Sequence, residues 1–196
     1  MSITEFLNSN GFYDFEGNSR EVPGQMRDLI RLTTTPNINI MEIGFNAGHS
    51  AELFLKNNPS ATLTSFDLGI HSYVPVAKSY IDATYSKRHL LFLGDSRVSV
   101  PEFVKDYPKM VFDVIFIDGG HDYEFASADI ENCRRLANKD TIVIMDDTSY
   151  VDGPKKDYTI GPTRAWREYV ESGKIIELGK VDYDSFRGMS WGKYVV

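Results

Sequence analysis

From Ile38 to Val170 the chain repeats one pattern, a short apolar run followed by an amphipathic stretch, and few folds accept that repetition. Residues 38–43, 61–66, 89–93, 111–117 and 141–145 are apolar runs of strand length, the fourth apolar enough for a central strand covered on both faces. Between them lie helical spacings. Ser50 opens one with Ala51, Phe54 and Leu55 inward, stopped by Asn57-Asn58-Pro59, and residues 74–85 form a weaker one. Pro101 stands near the start of a short helix carrying Phe103, Val104 and Tyr107, and Asp122 is placed to cap a helix with Ala126, Ile130, Cys133 and Ala137 inward. Gly161-Pro162-Thr163 introduces the last, with Ala165, Tyr169 and Val170 inward. Strands alternating with helices predict a doubly wound parallel α/β sheet. The ending differs: residues 174–179 and 188–196 read as two strands with no helix between them, and such strands pair antiparallel.

A chain of 196 residues suits one such domain, with residues 1–35 as a helical segment packed over the sheet or the site mouth and 36–196 as the core. A formal charge of −7 argues against broad binding to nucleic acid or anionic membranes. The single cysteine, Cys133, excludes an intrachain disulfide and falls on a buried helix face. No run is long enough to span a membrane and the N-terminus carries no basic leader, so a soluble, cytoplasmic protein is expected.

In open parallel sheets the ligand lies beyond the carboxyl ends of the strands, so the residues just after each strand should carry the chemistry. In order these are Glu42-Ile-Gly44-Phe-Asn46-Ala-Gly48-His-Ser50, then Asp67, then Gly94-Asp95-Ser96, then Asp118-Gly-Gly-His121, then Asp146-Asp147. Glycines let the backbone turn tightly beside a ligand. Asp67, at the end of the second strand, is placed to accept both hydroxyls of an adenosine ribose. That much suits a dinucleotide as well as adenosylmethionine. A pyrophosphate, however, asks for a compact G-x-G-x-x-G on a helix N-terminus. Here the spacing is Glu-x-Gly-x-x-x-Gly, and Glu42 would repel a pyrophosphate while favouring the ammonium of a methionine moiety.

These segments, together with Ser65-Phe-Asp67, Phe116-Ile-Asp-Gly-Gly-His-Asp-Tyr123 and Ile144-Met-Asp-Asp-Thr148, resemble the class I methyltransferases of the catechol O-methyltransferase-like kind. The chain is particularly similar to the short metal-dependent sugar and antibiotic O-methyltransferases. The resemblance implies a Rossmann-like, mostly parallel seven-stranded sheet of order 3-2-1-4-5-7-6 and S-adenosylmethionine as cofactor. By it, Glu42, Gly44 and Ser50 line the methionine part, with Asn46 and Gly48 in the same loop. Asp67 holds the ribose, Asp95 and Ser96 flank the adenine, and Asp118 touches the cofactor. The chain departs from relatives at Asn46 and at Asn138-Lys139-Asp140, where a glycine pair is usual.

Strands four and five are neighbours in this fold, so Asp118, Asp146 and Asp147 would converge. Three ionised carboxylates in contact repel unless protons or a cation balance them. With oxygen ligands only, a hard divalent ion is favoured, Mg²⁺ or Mn²⁺. Such an ion would lower the pKa of an acceptor hydroxyl. The resemblance puts a general base at His121, whose near-neutral pKa suits taking that proton. The expected substrate is a small hydroxylated molecule (a sugar, a phenol and a peptidyl hydroxyl stay open). Residues 148–160, with Tyr150, Gly153-Pro154, Lys155, Lys156 and Tyr158, read as a mobile loop and a candidate lid, and His71, Ser72 and Tyr73 as a possible pocket border. Trp166 and Trp191 read as core or interface residues, and a homodimer is compatible. Three rivals remain: a nucleotide-dependent oxidoreductase, a silent partner protein with this fold, and a metal-free methyltransferase.

Overall fold

The computed structural model describes residues 1–18, 21–152, 155–183 and 187–196. Seven strands form one sheet: β1 (Asn39–Ile43), β2 (Thr62–Asp67), β3 (His89–Leu93), β4 (Val114–Ile117), β5 (Ile142–Thr148), β6 (Ile175–Asp182) and β7 (Gly188–Tyr194). Their order is β3-β2-β1-β4-β5-β7-β6, as expected. The first five strands run parallel, and β7 lies antiparallel between β5 and β6. The order reverses between β1 and β4, which opens a crevice at the carboxyl ends of those two strands.

Among the described residues seven α-helices cover the two faces: α1 (Ile3–Ser9), α2 (Pro23–Leu32), α3 (His49–Asn57), α4 (Val74–Thr84), α5 (Ser96–Asp106), α6 (Tyr123–Arg134) and α7 (Asp157–Glu171). One face packs Ile3, Leu29, Phe54 and Ile81 from α1 to α4. The other packs Phe103, Ile130 and Trp166 from α5 to α7. Alternation along β1 sends Ile40 to the first core and Met41 and Ile43 to the second. Glu42 therefore points to the first face, toward α3. Cys133 is buried as expected, and Trp166 is fully buried core. Trp191 is half-buried beneath the Arg31 guanidinium, 5.3 Å from its ring. Among the described residues no helix is long and apolar enough to cross a membrane.

Three boundaries differ from the sequence reading. Pro101 lies inside α5, because Asp95 caps the helix directly after the turn at Gly94 (φ 130°), accepting a bond from the Arg97 amide at 2.9 Å. Gly161 and Pro162 lie inside α7, which begins at Asp157. A side chain at Gly161 would place its Cβ 2.1 Å from the His121 carbonyl oxygen, so glycine is there for close helix packing and not for helix initiation. Asp146 and Asp147 belong to β5 itself, since β7 continues to pair beyond Met145. Of the proposed lid, Gly153-Pro154 falls outside the described residues; Lys155 ties its flank down by donating to the Ser149 and Val151 carbonyls at 2.7 and 3.0 Å.

Candidate active site

The β1–α3 loop is shaped by what it must approach. At Gly44 (φ 95°) a Cβ would sit 1.9 Å from the Asp118 carbonyl oxygen, so only glycine lets this loop lie against the end of β4. Gly48 (φ 74°) opens α3 and packs beneath Ile3; it does not reach the cavity wall. Asn46 is left-handed (φ 48°), and its amide donates to Asp67 at 2.7 Å. The Gly69 amide donates to the other Asp67 oxygen, also at 2.7 Å. The Asn46 side chain donates to the Glu16 carbonyl and accepts from the Tyr73 hydroxyl at 2.6 Å, tying the segment before α2 across this end of the site. His71 stacks on Tyr73 and meets Glu16 at 2.7 Å, on the same rim.

Glu42 is fully buried behind Ser50 and is not itself on the wall. It accepts from the Ser50 and Ser65 hydroxyls, and burial pushes its carboxyl up to about 7. Asp95 pairs with Arg97, whose guanidinium lies 3.9 Å over the Phe125 ring. Ser96 lines the same wall.

A cavity of about 710 Å³ crosses the switch point, in the upper part of the range for small-ligand sites. Asp67, Leu68, Ile70, Asp95, Ser96 and Phe125 line one end, and Asp118, His121, Asp146, Asp147, Tyr158 and Arg187 line the other.

At that second end the parallel β4–β5 ladder brings the carboxylates together. Successive residues of a regular strand point to opposite faces. Asp147 escapes this rule because its left-handed backbone (φ 52°) coincides with a register shift against β7, so both acids turn toward the cavity. Asp118, His121 and Asp147 each offer a ligand atom, and these atoms lie within 4.8 Å of one another. His121 Nε2 is 3.0 Å from Asp147 Oδ2, while Asp147 Oδ1 is buried without a hydrogen-bond partner.

Asp146 behaves differently from the sequence expectation. One of its oxygens accepts the Asp147 amide at 2.8 Å and the other accepts the Gln25 amide, while His121 stands with Asp118 and Asp147 in the group whose ligand atoms lie within 4.8 Å of one another. Burial and then repulsion from Asp147 raise the Asp146 carboxyl to about 7. Asp118 is raised well above the usual range by burial first and by its two acidic neighbours second. The Asp147 contact raises the His121 imidazole. Tyr158, on the first turn of α7, sets its ring 5.7 Å from that of His121.

Buried polar residues behind the cavity wall and several residues on it were not read from the sequence, Glu16 and Asn18 among the latter. Gln25 is a buried polar residue one turn before Leu29 on the packed stripe of α2, a spacing that could have flagged it. Asp129 is fully buried in α6, its Oδ2 lying 3.1 Å from where a Gly119 side chain would begin, and burial lifts it to about 6. Phe125 and Arg187 reach the cavity through tertiary contacts that leave no local signature.

A switch-point cavity under a sheet closed by an antiparallel hairpin defines the Rossmann-like methyltransferase class. Residues 41–148, which hold every strand end described above from β1 to β5, match the methyltransferase domain family, and the chain belongs to that family of enzymes. Solved structures share the fold. TomG from Streptomyces achromogenes, an O-methyltransferase of tomaymycin synthesis solved with SAM, superposes with a TM-score of 0.74 at 16% identity, over 99% of this chain and 88% of that one. The Bacillus cereus O-methyltransferase in complex with SAH gives 0.73 at 18%, over 97% and 90%. CalS11, a TDP-rhamnose 3'-O-methyltransferase of calicheamicin biosynthesis, gives 0.67 at 20%, over 100% and 88%. No curated sequence matches the chain.

Proposed function

We propose that this chain transfers a methyl group from S-adenosylmethionine to a hydroxyl of a small acceptor, with a hard divalent ion, Mg²⁺ or Mn²⁺, at the acid end. The observation that carries the reading is the grouping of Asp118, His121 and Asp147 within 4.8 Å on the wall of the cavity that also exposes Asp67. The donor set fits such an ion, because a buried carboxylate oxygen of Asp147 has no partner and an uncompensated buried charge is costly. SAM- and SAH-bound structures of this fold support the cofactor.

In this reading Asp67 accepts the ribose hydroxyls, using the carboxylate lone pairs that Asn46 and Gly69 leave free. Ser50, with Glu42 behind it, meets the methionine end, and Gly44 and Asn46 line the path. Asp95 and Ser96 border the adenine, with Phe125 as its wall. Asp118 and Asp147 hold the ion, and Asp146 completes the acidic wall. When bound, the ion lowers the pKa of an acceptor hydroxyl. His121 takes the proton, and its imidazolium is steadied by Asp147 at 3.0 Å. Attack on a sulfonium methyl then needs alignment and a dry pocket.

The same 3.0 Å contact favours one alternative, a metal-free enzyme in which the Asp147–His121 pair alone serves as base. Chelation separates them. Formation of adenosylhomocysteine with a panel of sugars and phenols should stop in EDTA and return with Mg²⁺ or Mn²⁺; full turnover in EDTA would leave only the metal-free enzyme. His121→Ala should lower turnover by about 10²–10⁴-fold while leaving divalent-ion affinity by calorimetry within threefold. Loss of ion binding instead would make His121 a ligand and not the base.

A further inference from the structure

The cavity is lined by a run of carboxylates and, among its described lining residues, by one permanently charged cation, Arg187. Resting on the methyltransferase reading above, we propose that the acceptor carries an oxyanion, a carboxylate or a phosphate, and that Arg187 is the residue that selects it.

The hydrogen bonds of Arg187 argue against a structural strut. Its Nη2 donates to Gln25 Oε1 at 2.9 Å and more weakly to the Asn18 carbonyl at 3.4 Å, both neutral acceptors. Its Nε is buried with no acceptor, although structural arginines ordinarily satisfy their donors. It forms no ion pair with any described residue. Three acids stand on the same wall, and a guanidinium free to pair would take a carboxylate in a forked contact. The fold prevents this. Gln25 stands between, giving its amide to Asp146 and its carbonyl to Arg187, so the two charges are spaced apart by one side chain.

The position is the acceptor's and not the cofactor's. Gln25 bonds both Arg187 and Asp146, and Arg187 lines the same cavity as Asp147 and Tyr158, which puts it at the end where His121 sits. It is carried there by the start of β7, where its carbonyl accepts the Tyr183 amide at 2.8 Å. Tyr183 in turn bonds Asp28 of α2 at 3.0 Å, and a side chain at Gly24 would meet the Tyr183 ring at 2.7 Å. The hairpin and α2 thus close on each other and present Gln25 and Arg187 as one unit. Gln25 keeps the guanidinium off Asp146, and Arg187 Nε has no acceptor, so a direct forked contact remains open for an oxyanion that the substrate brings.

The test uses the full chain loaded with adenosylhomocysteine and Mg²⁺, titrated by calorimetry with matched probes: catechol against 3,4-dihydroxybenzoate, and glucose against glucose 1-phosphate. One anionic member should bind at least about tenfold more tightly than its neutral counterpart, and which pair shows it tells carboxylate from phosphate. The preference should shrink with added NaCl, vanish in Arg187→Met and return in part in Arg187→Lys. Equal binding within both pairs, no binding of any probe, or a preference that survives Arg187→Met overturns the proposal. Adenosylhomocysteine is titrated first: if it fails to bind, the methyltransferase reading falls as well, and if it binds, any later failure belongs to this inference alone.

Discussion

Asp67 and Asp147 both lie at the carboxyl ends of parallel strands on one cavity, yet the fold treats them in opposite ways. Asp67 is already answered, each oxygen accepting a backbone amide at 2.7 Å. Asp147 is not: one oxygen meets a histidine and the other is buried with nothing. Backbone amides fix a carboxylate in place, which suits repeated binding of neutral hydroxyls. An orphaned buried oxygen beside two more acids is a standing cost that a bound cation would relieve. On the function proposed above, one end of the cavity holds and the other reacts.

The sharpest way to break this contrast is Asp147→Asn, which keeps the shape and removes the charge. Turnover should fall by about a thousandfold, near 4 kcal/mol, with adenosylhomocysteine affinity changed less than threefold. A variant that loses cofactor affinity as strongly as turnover would show the two ends to be one electrostatic unit.

Glu42 supplies an intermediate case, a buried carboxylate satisfied by two hydroxyls and not by amides. Its carboxyl stands at about 7 against an ordinary 4.5, so between those values the folded chain holds a proton that the unfolded chain releases. Stability of the ligand-free chain should therefore fall as pH rises from 4.5 to 7, by at most about 3 kcal/mol from this group. Glu42→Gln should make that limb of a urea-denaturation series shallower by this group's share, the share of Asp146 and Asp129, which burial also raises, remaining. His89 works the other way. Ser65 has one proton and gives it to Glu42 at 2.6 Å, so at 3.0 Å it accepts from His89 Nε2, leaving a bare, buried Nδ1. Burial lowers this imidazole to about 4, so its contribution is complete above 6.5 and is lost as pH falls toward 4. His89→Phe should remove that acid limb and leave the Glu42 limb in place.

The held end was more legible in the sequence than the reacting end. Gly44 and Asp67 announce themselves, because a glycine turn and an acid at successive strand ends are local signals of a backbone that must approach a ligand. The doubly wound sheet and its antiparallel close followed from the alternation and from the helix missing between β6 and β7, while the strand order came with the family resemblance. Asp118 and Asp147 were legible as acids, but their grouping was not fully so. It depends on the bulge at Asp147 and on Gln25 engaging Asp146, and both are consequences of β7 and α2 docking from far along the chain. Arg187 has no local signature because the hairpin alone brings it in. Gly161 misled for a related reason: its role is the absence of a side chain against His121, which composition presents as a helix start.

The gentlest test of the comparison is Asp67→Asn. Here the charge goes while one carbonyl oxygen and the flanking amides remain, so the loop should keep its path. One of the two amide bonds, from Asn46 or from Gly69, must then face an NH₂ group or be re-formed by rotation. Losing a charge-assisted acceptor for ribose hydroxyls costs about 1.5–3 kcal/mol, which predicts adenosylhomocysteine binding weakened by roughly 10- to 100-fold. Turnover at saturating cofactor should stay within threefold, since no group at the His121 end is altered. A large drop in kcat with KM for the cofactor unchanged would mean that Asp67 feels the reacting end across the cavity, and the division between holding and reacting would not describe this enzyme.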